Sequence, residues 1–258
     1  MPRSISISVP VFCVLSFLSI TQKQKKERFP SYFGITASPV IPNNFIGSVH
    51  TELKDNSGAM TAYFDNKWGF TFGGTIRIGL FKYISMETGI SQVRRVYQAT
   101  VSMPDSNIYG SQKLALANYD IPLNALFYVP LTKKWLADAS LGISLTHYPS
   151  NVQDSMHPKT ERTIFVQGRR TERTYFAFNA GIGLEYRTLK AGTFFLGFGA
   201  KVPFKPPFFG VSIFRYSKKG DKISAYKPLE AGYFTIDFRY FIPTPKKKKS
   251  LGNKPLIE

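Results

Sequence analysis

Cysteine is almost missing from this 258-residue chain: the single one, Cys13, sits in an apolar stretch near the N-terminus. Beyond that stretch there is no thiol, which excludes a disulfide framework and a thiolate metal site. Histidine is scarce as well. His50, His147 and His157 are the only three, and no two have metal-ligand spacing on a shared element. Neither a metal nor a cofactor is expected. Acidic residues are few, 16 Asp+Glu against 34 Lys+Arg, which leaves a formal charge of +18. Such a surplus raises nucleic-acid binding, but the basic runs lack the interleaved aromatics that stack bases, so no nucleic acid is expected as a partner.

The parts of a catalytic site are missing too. Ser144 and His147 are close in sequence but have opposite parity along a strand, so they point to different sides of a sheet, whereas a nucleophile and its base must touch. The glycines of Gly181-Ile-Gly183 and Gly197-Phe-Gly199 fall inside strands and not between a strand and a helix, which removes a phosphate-binding reading. The chain is not expected to be an enzyme.

What the chain does have is 20 Gly, 23 Phe and 14 Tyr, a composition that favours β structure. Residues 1–21 read as a secretory signal peptide, with Arg3 ahead of an apolar run from Ile5 to Ile20 and small residues, Ser19 and Thr21, flanking a cleavage before Gln22. Phe12 is too bulky for a lipoprotein site at Cys13. Residues 22–31 form a basic segment with Lys23, Lys25, Lys26 and Arg28, and residues 243–258 a Lys-rich tail expected to be periplasmic.

Between them, residues 32–242 alternate. In Gly232–Pro243, residues Phe234, Ile236, Phe238, Tyr240 and Ile242 share one face, and Tyr233, Thr235, Asp237, Arg239 and Phe241 share the other. Similar patterns over 32–40, 69–80, 84–96, 116–129, 135–148, 175–187 and 193–202 bring the expected strands to eight. The connections, 41–68, 81–83, 97–115, 130–134, 149–174, 188–192 and 203–231, alternate long and short without exception. Tight turns at one end and long loops at the other are the habit of transmembrane barrels. The expected fold is all-β, an eight-stranded antiparallel up-and-down transmembrane β-barrel, with a soluble ligand-binding barrel as the alternative. Pairing Leu80 with Ile84 keeps the faces separate and sets Arg77 opposite Glu87. The same parity directs Arg77, Arg95, Arg187, Lys201 and Arg239 into the lumen with Glu87, Asp120, Asp138, Glu185 and Asp237. Five positive charges against five negative ones predict a plugged lumen and not a conduit. Outward aromatics near both ends, Phe70, Tyr119 and Phe176 at one and Phe127, Trp135, Tyr186 and Tyr240 at the other, fit interfacial girdles.

The strand Tyr119-Asp-Ile-Pro-Leu-Asn-Ala-Leu-Phe-Tyr128, with Gly181–Tyr186, Ile84–Ile90 and the terminal Phe-Arg-Tyr-Phe, resembles the small outer-membrane β-barrel family common in Bacteroidetes, which includes PorT-like proteins. The resemblance covers roughly residues 30–243. It implies the outer membrane of a Gram-negative bacterium and insertion by the barrel-assembly machinery. Here the last strand is followed by residues 243–258, so a terminal-aromatic insertion signal is internal, near Tyr240-Phe241. The long loops carry Arg162, Arg169, Arg170, Arg173, Arg215, Lys218, Lys219 and Lys222, a candidate surface for outer-membrane lipid and lipopolysaccharide phosphates. The expectation is a monomer with a structural or interaction role and possible envelope-protein partners. A narrow pore, or an accessory subunit of an envelope transport or secretion system, is the alternative.

Overall fold

The structure is a computed structural model describing residues 29–156, 163–188, 190–215 and 222–243. The leader at 1–21, residues 22–28, His157, Arg162, Lys218, Lys219 and the tail beyond Pro243 lie outside the described residues. Within them the fold is all-β and antiparallel. Its thirteen strands are β1 (Tyr32–Pro42), β2 (His50–Lys54), β3 (Thr61–Gly79), β4 (Ile84–Met103), β5 (Ile108–Pro130), β6 (Trp135–His147), β7 (Val152–Met156), β8 (Thr163–Arg170), β9 (Thr174–Arg187), β10 (Thr193–Pro203), β11 (Phe208–Arg215), β12 (Lys222–Leu229) and β13 (Tyr233–Phe241).

Eight of them pair in a closed cycle. The ladders run β1-β3-β4-β5-β6-β9-β10-β13, and β13 pairs back onto β1, so each strand of this ring has neighbours on both sides. Closure leaves no open edge in that part of the molecule. Three short turns cluster at one end. They are closed by Leu80 N to Ile84 O at 3.1 Å, Leu131 N to Trp135 O at 3.0 Å and Thr188 N to Gly192 O at 2.9 Å. Gly192 has φ +86°, a conformation other residues rarely adopt.

Period-two alternation sorts the ring's side chains by solvent. Phe33, Ile35, Phe72, Ile76, Ile90, Ile121, Leu123, Ile143, Ile182, Leu184, Leu196 and Phe198 face outward and are exposed, while Arg77, Glu87, Asp120, Asp138 and Glu185 face inward and are buried. Inward glycines make room for the larger interior groups. A Cβ on Gly183 or Gly197 would collide with the ring of Phe195, which is buried between them.

At the far end the segments expected as long loops are largely strands, which corrects the reading of 41–68, 97–115, 149–174 and 203–231 as loops. β3, β4 and β5 run on past the ring and β2 joins their edge, while β12-β11-β8-β7 form a second sheet. The two sheets enclose an apolar core that includes Leu53, Met60, Phe64, Tyr97, Val101, Leu114, Ile164, Phe208 and Leu229. β7 lies beside β5 and β12 beside β2, so the layers meet at both margins. The sequence hides this sandwich because its strands are short, and because the inward face of β4 and β5 changes from polar to apolar without a break. On β5, Asn124, Asp120 and Asn118 give way to Leu116 and Leu114 on the same face.

β3 handles the change with a bulge. Its register against β4 shifts between Lys67 and Phe70, so Trp68 and Gly69 together oppose Arg95. Ala62 and Phe64 consequently face the sandwich core although Phe70 and Phe72, of the same parity, face outward. Pro122 interrupts the β4 to β5 ladder, which skips Gly89 and Ile90, because proline brings no N–H.

Phe64 sits in the core of the sandwich and also packs where a Cβ on Gly210 would be 3.3 Å away. Phe64→Ala is expected to cost this sandwich about 3 kcal/mol or more. Limited proteolysis should then cut within β7–β8 and β11–β12 while the ring strands stay protected.

Candidate functional site

The ring interior concentrates charge in two groups separated by a cavity. In the group nearer the turns, Arg77 is wholly buried and reaches two carboxylates at once. It donates to Glu87 on the neighbouring strand through Nη2 at 2.7 Å and Nε at 3.1 Å, and its Nη1 pairs with Glu185. Glu185 belongs to β9, four strands away in the ring from β3, so this pair crosses the full interior. Arg239 donates to Glu87 at 2.7 Å and to Asp237 at 2.9 Å, and Arg187 donates to Glu185 at 2.5 Å. Nearer the sandwich, Lys201 pairs with Asp120, which also accepts from Thr146 Oγ1 at 2.7 Å. All ten charges read from parity therefore lie inside, and the structure adds their cross-ring partners.

Four of them lack such a partner: Arg187 and Asp237 pair along their own strands, and Asp138 and Arg95 make no ion pair among the described residues. Asp138 is buried with its Oδ2 unbonded, and Arg95 is buried with Nε and Nη1 unbonded. Arg95 instead lies over the Tyr233 ring, 4.5 Å from its centroid. The other interior guanidiniums do the same: Arg77 over Phe241 at 4.1 Å, Arg187 over Phe29 at 4.0 Å and Arg239 over Phe195 at 4.6 Å. Planar, weakly hydrated guanidinium suits this double duty of fork and stacking plate. Sequence reasoning missed these ring partners, although the inward parity of Phe195, Tyr233 and Phe241 was their signal.

Between the groups lies a cavity of about 120 Å³, lined by Thr36, Ser38, Thr75, Ser91, Asn124, Ser140, Asn179 and Thr235 together with Glu87, Asp120, Lys201, Asp237 and Arg239. Small-molecule sites usually measure about 300 Å³ or more, so this space suits water and not a ligand of that size. Both ends of the interior are filled by apolar groups. At the turn end Phe29 stacks on Tyr128 at 4.1 Å, joined by Leu126 and Leu136, and the Phe29 amide donates to Phe81 O at 3.0 Å. Phe29 came within the basic segment 22–31 of the sequence reading, and it is buried. At the other end Val40, Val93 and Tyr233 pack together below the sandwich core.

The basic residues assigned to surface loops prove to have different roles. Arg170 is a tether, donating to the carbonyl oxygens of Tyr148, at 2.7 Å, and Pro149. Arg215 is exposed and lies over Phe165 at 4.9 Å, directly across the β11–β12 ladder from Lys222. Arg169 and Arg173 are exposed on β8 and the link after it. Arg169 and Lys222 flank a shallow groove on the outer face of the second sheet, floored by Phe209, Val211 and Ile213. Ser144 is buried and bonded to Asn179 at 3.3 Å, while His147 is exposed near Thr174. His50 pairs with Asp65 at 2.6 Å in an exposed position.

No family model matches the chain, and no curated protein matches it. Among solved structures, the transport unit of the autotransporter AIDA-I from Escherichia coli aligns with 88% of this chain and 92% of its own, at 10% identity and a TM-score of 0.25. That score is too low to carry an argument about this chain.

Removing one partner of a buried ion pair costs more than the pair contributes, because a charge is left stranded. Arg77→Met is expected to lower stability by about 3–5 kcal/mol. Adding Glu185→Gln should recover part of that loss, as read from thermal unfolding followed by circular dichroism.

Proposed function

We propose that this chain is an outer-membrane β-barrel protein with a structural or interaction role, its lumen plugged and its β-sandwich displayed on the far side of the bilayer from the turns. One observation carries the reading: charged side chains lie buried inside the ring while large apolar ones are exposed all around it. In water this arrangement is inside out, and in a bilayer it is the stable one. The dimensions agree. From Tyr119 to Val129, β5 keeps an outward apolar face, about 33 Å along the strand and about 25 Å along the axis at a tilt near 40°, the height of a typical apolar band.

The leader expected at 1–21 and the resemblance to the PorT-like family support the same location. Insertion then falls to the barrel-assembly machinery, and the exposed Arg169, Arg173, Arg215 and Lys222 are placed to meet lipopolysaccharide phosphates. A monomer is part of this reading, supported by a ring that needs no second copy to close its edges. An accessory role in envelope transport or secretion is the second reading, favoured by the groove floored by Phe209, Val211 and Ile213. A pore is disfavoured by the ion pairs that cross the interior.

Two measurements test this. The protein should be found in a sarkosyl-insoluble envelope fraction and run as two bands in SDS, with and without boiling; one band from a soluble fraction would sink the membrane reading. In planar bilayers the purified protein should give no steady conductance, and stable single-channel steps would replace the plug with the pore.

A further inference from the structure

We propose that the turn end of the barrel carries a binding site for an acidic phospholipid headgroup, formed by Lys133, Lys134 and Lys190. The proposal rests on the membrane reading and assigns a ligand class to one sector of it. On four adjacent strands the outward residues form a single row in register. Trp135 pairs with Tyr186, Tyr186 with Phe194, and Phe194 with Tyr240. The rings meet in two pairs within it, with centroids 4.7 Å apart for Trp135 and Tyr186 and 5.2 Å for Phe194 and Tyr240. Such a row marks the level where hydrocarbon gives way to headgroups.

Immediately beyond the row come the lysines. Lys134 is the residue before Trp135, and Lys190 sits on the turn joining the strands of Tyr186 and Phe194. With Lys133 they line a hollow of about 800 Å³ at the mouth of the ring, and none of the described residues that line it is acidic. The turns that carry them are fixed from within. Thr132 Oγ1 accepts from the amides of Lys134 and Trp135, at 3.3 and 3.1 Å. Thr188 Oγ1 donates to Gly192 O at 2.8 Å and accepts from Ala191 N at 3.0 Å. Arg187 N donates to Lys134 O at 2.8 Å and ties one turn to the other. Arg187 also lines the hollow, but its guanidinium is held by Glu185 and lies over Phe29, so among the described residues there the three lysines are the cations on the turns themselves.

Three ammonium groups on hydrogen-bonded turns, one to four residues past an aromatic row, match a phosphate whose acyl chains lie along the apolar wall formed by Phe194, Leu184 and Leu196. Free phosphate would use the lysines but not the wall, and this favours the lipid. Basic residues at a charged surface contribute enough for up to about fivefold enrichment each.

The sequence has two tryptophans, Trp68 at the opposite end and Trp135 in the row. In full-length Trp68→Phe protein, Trp135 alone reports. Reconstituted into phosphatidylcholine bilayers, its fluorescence should be quenched more by phosphatidylglycerol with brominated acyl chains than by brominated phosphatidylcholine at equal mole fraction. Replacing Lys133, Lys134 and Lys190 by Gln should abolish the difference while leaving quenching by brominated phosphatidylcholine and the heat-dependent shift in SDS unchanged. Equal quenching by the two lipids, or a preference that survives the triple replacement, would overturn the site. A preference erased by millimolar inorganic phosphate would reassign it to free anions and overturn the lipid. Absence of quenching by either lipid together with loss of the SDS shift would reject the membrane reading itself.

Discussion

Arg77 braces the ring from inside. Its guanidinium joins Glu87 on the next strand to Glu185 on the opposite wall and lies flat against Phe241. A small closed sheet has an interior that only side chains can fill. Here that filling is polar and most of its charges are paired, as an unpaired buried charge costs several kcal/mol. Arg239 reaches the same Glu87 from β13, and Lys201 repeats the arrangement nearer the sandwich with Asp120, each pair joining non-adjacent strands. The inward glycines, the stacked rings and the small polar cavity are what remains of the space once these crossings are in place.

The two ends of the molecule solve different problems. At the turn end, Phe29 enters the interior and closes it with Tyr128, so the chain ahead of β1 takes part in the fold. At the other end the ring continues into a sandwich with an apolar core of its own. Ring and sandwich are thereby joined along the same strands, with β3, β4 and β5 belonging to both.

Much of the ring was legible in the sequence because period-two alternation is a strong signal when the two solvents differ sharply. Phe70–Leu80 and Ile84–Ile90 carry it residue by residue, and Arg77 pairs with Glu87 in the register that the turn at 81–83 demands. Which charges meet across the interior was not legible: parity assigns Glu185 and Arg77 to the same space, but contact between opposite strands depends on tilt and stagger. The sandwich was hidden for another reason. Strands such as His50–Lys54 and Val152–Met156 are five residues each, too short for alternation to stand out from loop composition. On Leu114–Asp120 the inward face trades carboxylate for leucine, which reads in sequence as the end of a strand and is in fact its passage from one environment to another.

The bulge at Trp68 and Gly69 gives that passage a phase. β3 is one strand with two alternation frames, offset by a single residue, and the offset sits where the ring becomes the sandwich. Its side chains can be exchanged within a frame at modest cost. Its length cannot change, because one residue gained or lost between Thr61 and Gly79 would send Phe64 out of the sandwich core, or Arg77 to the outer face of the ring, without altering a single other amino acid.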